Sequence, residues 1–96
     1  MRAYFFTQAL KEALSGKLSV NIKLYPEEAK QLEEEGFLVS KTSSANRYII
    51  SWASAINDVS GKDVSEYIYG VTDIFPEDIQ KPIEKLCIIS LRAIHT

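Results

Sequence analysis

One cysteine and one histidine are all that the chain offers toward thiol, imidazole or transition-metal chemistry. A four-ligand zinc site would need carboxylates or a second chain to complete it. An intrachain disulfide is excluded outright, which fits a reducing compartment such as the cytoplasm. Glycine and proline are also sparse, at four and three residues, so disordered and fibrous classes are poor fits. No stretch approaches the roughly 18 consecutive apolar residues of a membrane-spanning helix. The opening Met1-Arg2-Ala3-Tyr4-Phe5-Phe6 starts like a signal peptide, but Gln8, Lys11 and Glu12 interrupt the apolar run. Excess charge is missing too. Thirteen acids against 11 bases leave a formal charge of −2, which gives no bulk attraction for nucleic acid or anionic lipid.

What is present is the composition of a folded domain. Apolar residues make up 46% and charged residues 25% of 96 residues, enough for one modest core and one domain, 1–96.

Phe6, Ala9, Leu10, Ala13 and Leu14 recur at helical spacing, so residues 3–15 read as an amphipathic helix that Gly16 ends. Leu18, Val20, Ile22 and Leu24 then alternate with Ser19, Asn21 and Lys23, the period of a strand with one buried face. Pro26 opens a second helix with Glu27 and Glu28 in its first turn, and Tyr25, Ala29 and Leu32 form its thin apolar stripe before Gly36. Phe37–Thr42 and Arg47–Trp52 flank the polar Ser43-Ser44-Ala45-Asn46, which predicts a β-hairpin. Asp63–Ile74 is a further helical candidate. Beyond it, Pro82 predicts a short helical turn after Pro76 and then a main helix from about Lys81 to Ile94.

A β-α-β segment followed by a hairpin makes the first two strands point the same way and the third run against both. The third is the most apolar and belongs in the middle. The expected fold is therefore α+β: a three-stranded mixed sheet of order 1-3-2 built from helix-β-α-β-β, with one or two C-terminal helices packed on it. Its core face would carry Leu18, Val20, Ile22, Leu24, Phe37, Val39, Tyr48, Ile50 and Trp52. Its other face would carry Ser19, Asn21, Lys23, Leu38, Ser40, Thr42, Arg47, Ile49 and Ser51.

Gly16-Lys17-Leu18-Ser19-Val20-Asn21-Ile22, the acidic run Glu34-Glu35-Gly36-Phe37-Leu38-Val39 and the closing Tyr48-Ile49-Ile50-Ser51-Trp52 resemble a pattern found in small uncharacterised proteins of bacteriophages and related mobile elements. The resemblance spans residues 3–52 and implies a source, not a chemistry.

No catalytic constellation emerges. Cys87 and His95, eight residues apart on one helix, lie about 12 Å apart and form no dyad. Cys87 reads as a small buried apolar residue and His95 as a solvated terminal one. Glu27, Glu28, Glu33, Glu34 and Glu35 fan around a helix and do not converge. Ser15-Gly16-Lys17 and Ser60-Gly61-Lys62 lack the preceding glycine and the following hydroxyl of a phosphate loop. Neither cofactor nor metal is expected.

Two surfaces remain. The second sheet face offers Asn21, Lys23, Ser40, Thr42, Arg47 and Ser51 around an apolar centre of Leu38 and Ile49. On the last helix, Ile88, Ile89 and Leu91 widen the stripe of Ile83, Leu86, Cys87 and Ile94. Together they point to a non-enzymatic accessory protein that binds a protein partner or assembles with itself as a homo-oligomer. The alternative is a nucleotide- or nucleic-acid-binding module using Lys17, Lys23, Lys41 and Arg47, with no aromatic side chain on that face to stack on bases.

Overall fold

The computed structural model describes residues 2–56 and 74–94. In chain order these form helix α1 (Arg2–Ala13), strand β1 (Ser19–Lys23), helix α2 (Pro26–Glu34), strands β2 (Leu38–Lys41) and β3 (Arg47–Ser51), a 3-10 turn (Ala53–Ala55) and helix α3 (Glu77–Ile94). The sheet order is β1-β3-β2, as the sequence predicts. Both ladders are antiparallel, so the sheet is antiparallel and not mixed: β1 and β2 run alike but never pair. The helical candidate Asp63–Ile74 falls largely on residues outside those described. No helix among the described residues is long and apolar enough to cross a membrane.

Period-2 patterning sets the register. Val20 pairs with Ile50 and Ile50 with Val39, so one face of all three strands is apolar at the same level. Every residue assigned to that face is buried or half-buried, from Leu18 through Trp52. Burying each large side chain contributes roughly 1.5–3 kcal/mol.

Helix α1 covers this face by a stripe that keeps the predicted Ala9 and Ala13 but is rotated toward Phe5. Phe5, Ala9 and Ala13 are fully buried, Phe6 is half-buried, and Leu10 and Leu14 lie outside the core at 37% and 64% exposure. The two alanines let the helix sit close to its neighbours, and Phe5 fills the space at one end, its ring edge-on to Phe37 at 4.9 Å. Phe37 in turn meets Phe75 at 5.0 Å, just ahead of α3. At the opposite end, Gly16 lies against Ala93 and Ile94. Helices α1 and α3 therefore run side by side in the same direction.

Both short helices stop in the same way. Lys17 N–H donates to the Glu12 carbonyl and Gly16 N–H to that of Ala13; Phe37 N–H donates to Leu32 and Gly36 N–H to Glu33. Each is a Schellman closure, which requires a left-handed residue, and Gly16 (φ 80°) and Gly36 (φ 115°) provide it.

Two expectations are corrected. Tyr25 does not join the stripe of α2: it is 72% exposed, and only Ala29 and Leu32 of that set are buried. Its backbone N–H donates to the Glu28 carboxylate at 3.0 Å, which makes it the cap, outside the helix proper. Pro82 does not divide the last helix. Glu77–Ile94 is continuous with Pro82 exposed on its outer side, and Ile79, Ile83, Leu86, Cys87, Ser90 and Leu91 keep one buried stripe through it. Burial of that stripe outweighs the roughly 3 kcal/mol that an interior proline costs.

Candidate interaction surface

Among the described residues, helices occupy one side of the sheet and leave the other open. Along the open side the residues form rows about 7 Å apart, two residues of strand rise each. Lys23 stands opposite Arg47; next, Asn21, Ile49 and Ser40 lie abreast; then Ser19, Ser51 and Leu38. Leu38 is diagonal to Ile49, within reach of a long side chain. The two are 53% and 38% exposed, so an apolar centre faces solvent where the sequence places it.

The polar groups on this face are largely used within the chain. Thr42 Oγ1 donates to the Arg47 carbonyl at 2.9 Å and accepts from Ser44 N–H at 3.2 Å, which fastens the hairpin turn. Ser51 Oγ donates to the Leu18 carbonyl at 2.9 Å and accepts from Ala53 N–H at 3.1 Å. Arg47 Nε donates to Asn21 Oδ1 at 2.9 Å, and its Nη2 reaches the Asn21 carbonyl at 3.4 Å. Lys23, Ser40, Leu38 and Ile49 remain directed at solvent.

Ile88 and Ile89, the other predicted surface residues, lie on the helical side, so the sheet separates them from the open face. Both are half-buried, and Ile89 packs against the core. Leu91 is fully buried, whereas Ile94, assigned to the core stripe, is 42% exposed. A groove of about 490 Å³ runs between the C-terminal ends of α1 and α3, lined by Leu14, Ser15, Ile89, Arg92 and Ala93.

Sequence reasoning missed a cleft of about 380 Å³ at one end of the sheet, where Tyr4, Tyr25, Lys23, Leu24, Glu28 and Asn46 converge. The one signal for it is Asn46, whose φ of 59° folds the hairpin turn back toward β1 so that its carbonyl accepts Leu24 N–H. Ser90 was missed as well. It is fully buried, accepts the Trp52 indole N–H at 3.2 Å and donates to the Lys17 carbonyl at 3.0 Å. One hydroxyl thus ties α3 to the end of β3 and the entry to β1.

Cys87 is fully buried in the core cluster. Burial, with a smaller contribution from the nearby Glu84 carboxylate, pushes its thiol from 9.0 up to about 12. At neutral pH it carries no thiolate and is a poor nucleophile. His95 lies outside the described residues. No group of three or more metal-ligating side chains comes together among the described residues.

No family model matches the chain, and neither the curated proteins nor the solved structures contain a match to it.

Proposed function

We propose that the chain is a small non-enzymatic accessory protein that acts by stoichiometric protein binding or self-assembly through the open face of its sheet. The observation that carries this reading is the neighbouring pair Leu38 and Ile49, exposed at the centre of a face where the Asn21 amide oxygen and the Thr42 and Ser51 hydroxyls are already engaged internally. Such a face gains free energy chiefly by covering apolar surface, which is what a protein partner does. The resemblance of residues 3–52 to small phage proteins suggests a phage or prophage origin and a place of action in the host cytoplasm.

The alternative, a nucleotide- or nucleic-acid-binding module, draws less support. A phosphate-binding face needs free donors and several cations, and here only Lys23 and part of Arg47 remain in this role. Tyr48 and Trp52 turn toward the core, away from any base that could stack.

Light scattering at several concentrations, together with capture of partners on the immobilised protein, tests the reading with wild type and Ile49→Lys. Loss of association or capture in a variant of unchanged stability supports it. A strict monomer that captures nothing, or a variant indistinguishable from wild type, removes the open face as the acting surface.

A further inference from the structure

Among the described residues, Glu28 of α2 lines the end cleft that Lys23 also lines, but the open face itself is cationic. Its charged side chains are Lys23 and Arg47; none of its residues is an aspartate or glutamate, although acids outnumber bases in the whole chain. The two cations are direct cross-strand partners, an arrangement that is mildly destabilising in an isolated sheet. Arg47 is also held in place. Its hydrogen bonds to the side chain and carbonyl of Asn21 fix the guanidinium plane against the sheet without neutralising its charge, since asparagine carries none. Nη1 of a guanidinium so held has no hydrogen-bond partner among the described residues, and guanidinium geometry matches a carboxylate in a two-pronged contact. By contrast Lys17, away from this face, has an ion-pair partner in Glu12 at 3.2 Å.

Resting on the reading above, we propose that the open face takes an acidic, amphipathic segment of a partner protein: a carboxylate between Lys23 and Arg47, and an apolar side chain over Ile49 and Leu38. The spacing gives the pattern required of the partner. Ile49 lies two residues from Arg47, about 7 Å along the strand. One turn of a helix advances about 5.4 Å, so an acid followed one turn later by a leucine or isoleucine spans the two subsites. A polypeptide fits better than nucleic acid because charge ends after one row and apolar surface begins in the next. A phosphate backbone would need cations repeated along its track.

Two synthetic helical peptides test this, one with a Glu-x-x-x-Leu repeat and its twin with Lys in place of each Glu, alongside an oligothymidylate. Binding is read from backbone amide shifts of the intact protein. The acidic peptide is expected to shift residues of all three strands around Lys23, Arg47, Ile49 and Leu38, and to weaken as salt is raised. Arg47→Gln and Ile49→Ser should each lower its affinity about tenfold, and only the first should flatten the salt dependence. Both side chains are exposed, so unchanged shifts in the core of each variant establish that the fold is intact. Equal binding of the lysine twin, tighter binding of the oligothymidylate on the same residues, or no shift on this face overturns the proposal. If Ile49→Lys abolishes association while Arg47→Gln changes nothing, the face docks by apolar contact alone: this inference fails and the broader function stands.

Discussion

The two faces of the sheet are made from the same three strands, and a step of one residue separates them. On one side Val20, Ile22, Ile50 and Trp52 are at most 5% exposed; on the other Asn21, Lys23, Ile49 and Leu38 meet solvent. Polar groups behave in opposite ways on the two sides. In the core they are rare, and Ser90 is fully committed between Trp52 and Lys17. On the open face they are common, yet most are also committed, to the hairpin turn, the strand end and Asn21. What the open face leaves unspent, apart from the Ser40 hydroxyl, is therefore apolar and cationic. Stability resides on the first side, and the second is the surface proposed for recognition.

The strongest way to break this division is to place charge on the inner side. Ile22→Asp would force a carboxylate into a site that is 2% exposed with no partner at hand, and a loss of more than about 4 kcal/mol is expected, enough to abolish cooperative melting. A melt near that of wild type would mean that the register of β1 is wrong. Next in size is Gly36→Ala. A Cβ there would stand 2.8 Å from the Ile74 carbonyl oxygen and 2.9 Å from its Cγ2, at a φ of 115° that alanine resists. The expected loss in denaturant titration is about 2 kcal/mol or more. Gly16→Ala, with its nearest contact at 3.4 Å, should suffer from backbone strain alone and lose less.

Ser90→Ala tests the buried hydroxyl. It strands the indole N–H and the Lys17 carbonyl without creating a large cavity, and about 1–3 kcal/mol should be lost. A neutral result would show that the Trp52 contact at 3.2 Å contributes nothing net.

These sites also mark what could be read in advance. The strand from Leu18 to Leu24 was legible because side-chain alternation has one physical cause, a sheet with one covered face. The two glycine stops were legible because few other residues take a left-handed φ without penalty. Of the predicted α1 stripe, Ala9 and Ala13 are buried as expected, whereas Leu10 and Leu14 fall outside it and Phe5 was passed over, because the alanines allow close packing on one side and the stripe turns toward Phe5. Ser90 was illegible because a serine on a helix carries no mark of the indole that needs it. The open-face residues were located by period alone, but the Arg47–Asn21 bond follows from register and rotamer, which only the folded strands determine.

Cys87 sharpens the comparison by chemistry. With its thiol raised from 9.0 to about 12 by burial, the unfolded chain ionises first as pH rises. Its contribution to stability is thus fully present below about pH 9 and is lost progressively as pH climbs toward 12. Labelling of the native thiol at pH 8 should be slow and should follow global unfolding, while Cys87→Ala should lose about 1–2 kcal/mol and leave binding intact. Rapid labelling with loss of binding would give the thiol a role that its burial denies.

The smallest expected change in stability belongs to the open face, and there the small size is itself the test. Leu38 is 53% exposed, so Leu38→Ser removes little buried surface; Ile49 is 38% exposed, and in Ile49→Lys the aliphatic stem of the lysine can cover the part that is buried. Surface substitutions of this kind normally stay within about 0.5 kcal/mol, and each variant should melt with wild type. Ile49→Lys adds a third cation to a face that already opposes Lys23 to Arg47. It should therefore weaken partner binding at low salt less than the loss of apolar contact alone would suggest if the partner is acidic, and more if the partner is neutral or basic. Comparing Ile49→Lys with Ile49→Ser at two salt concentrations isolates that difference. A lysine variant that binds no better than the serine variant at low salt, with the fold unchanged, would count against an acidic partner while keeping Ile49 in the interface. If instead either substitution unfolded the domain, Ile49 would belong to the core, and the division between a stabilising face and a recognising face would have to be redrawn.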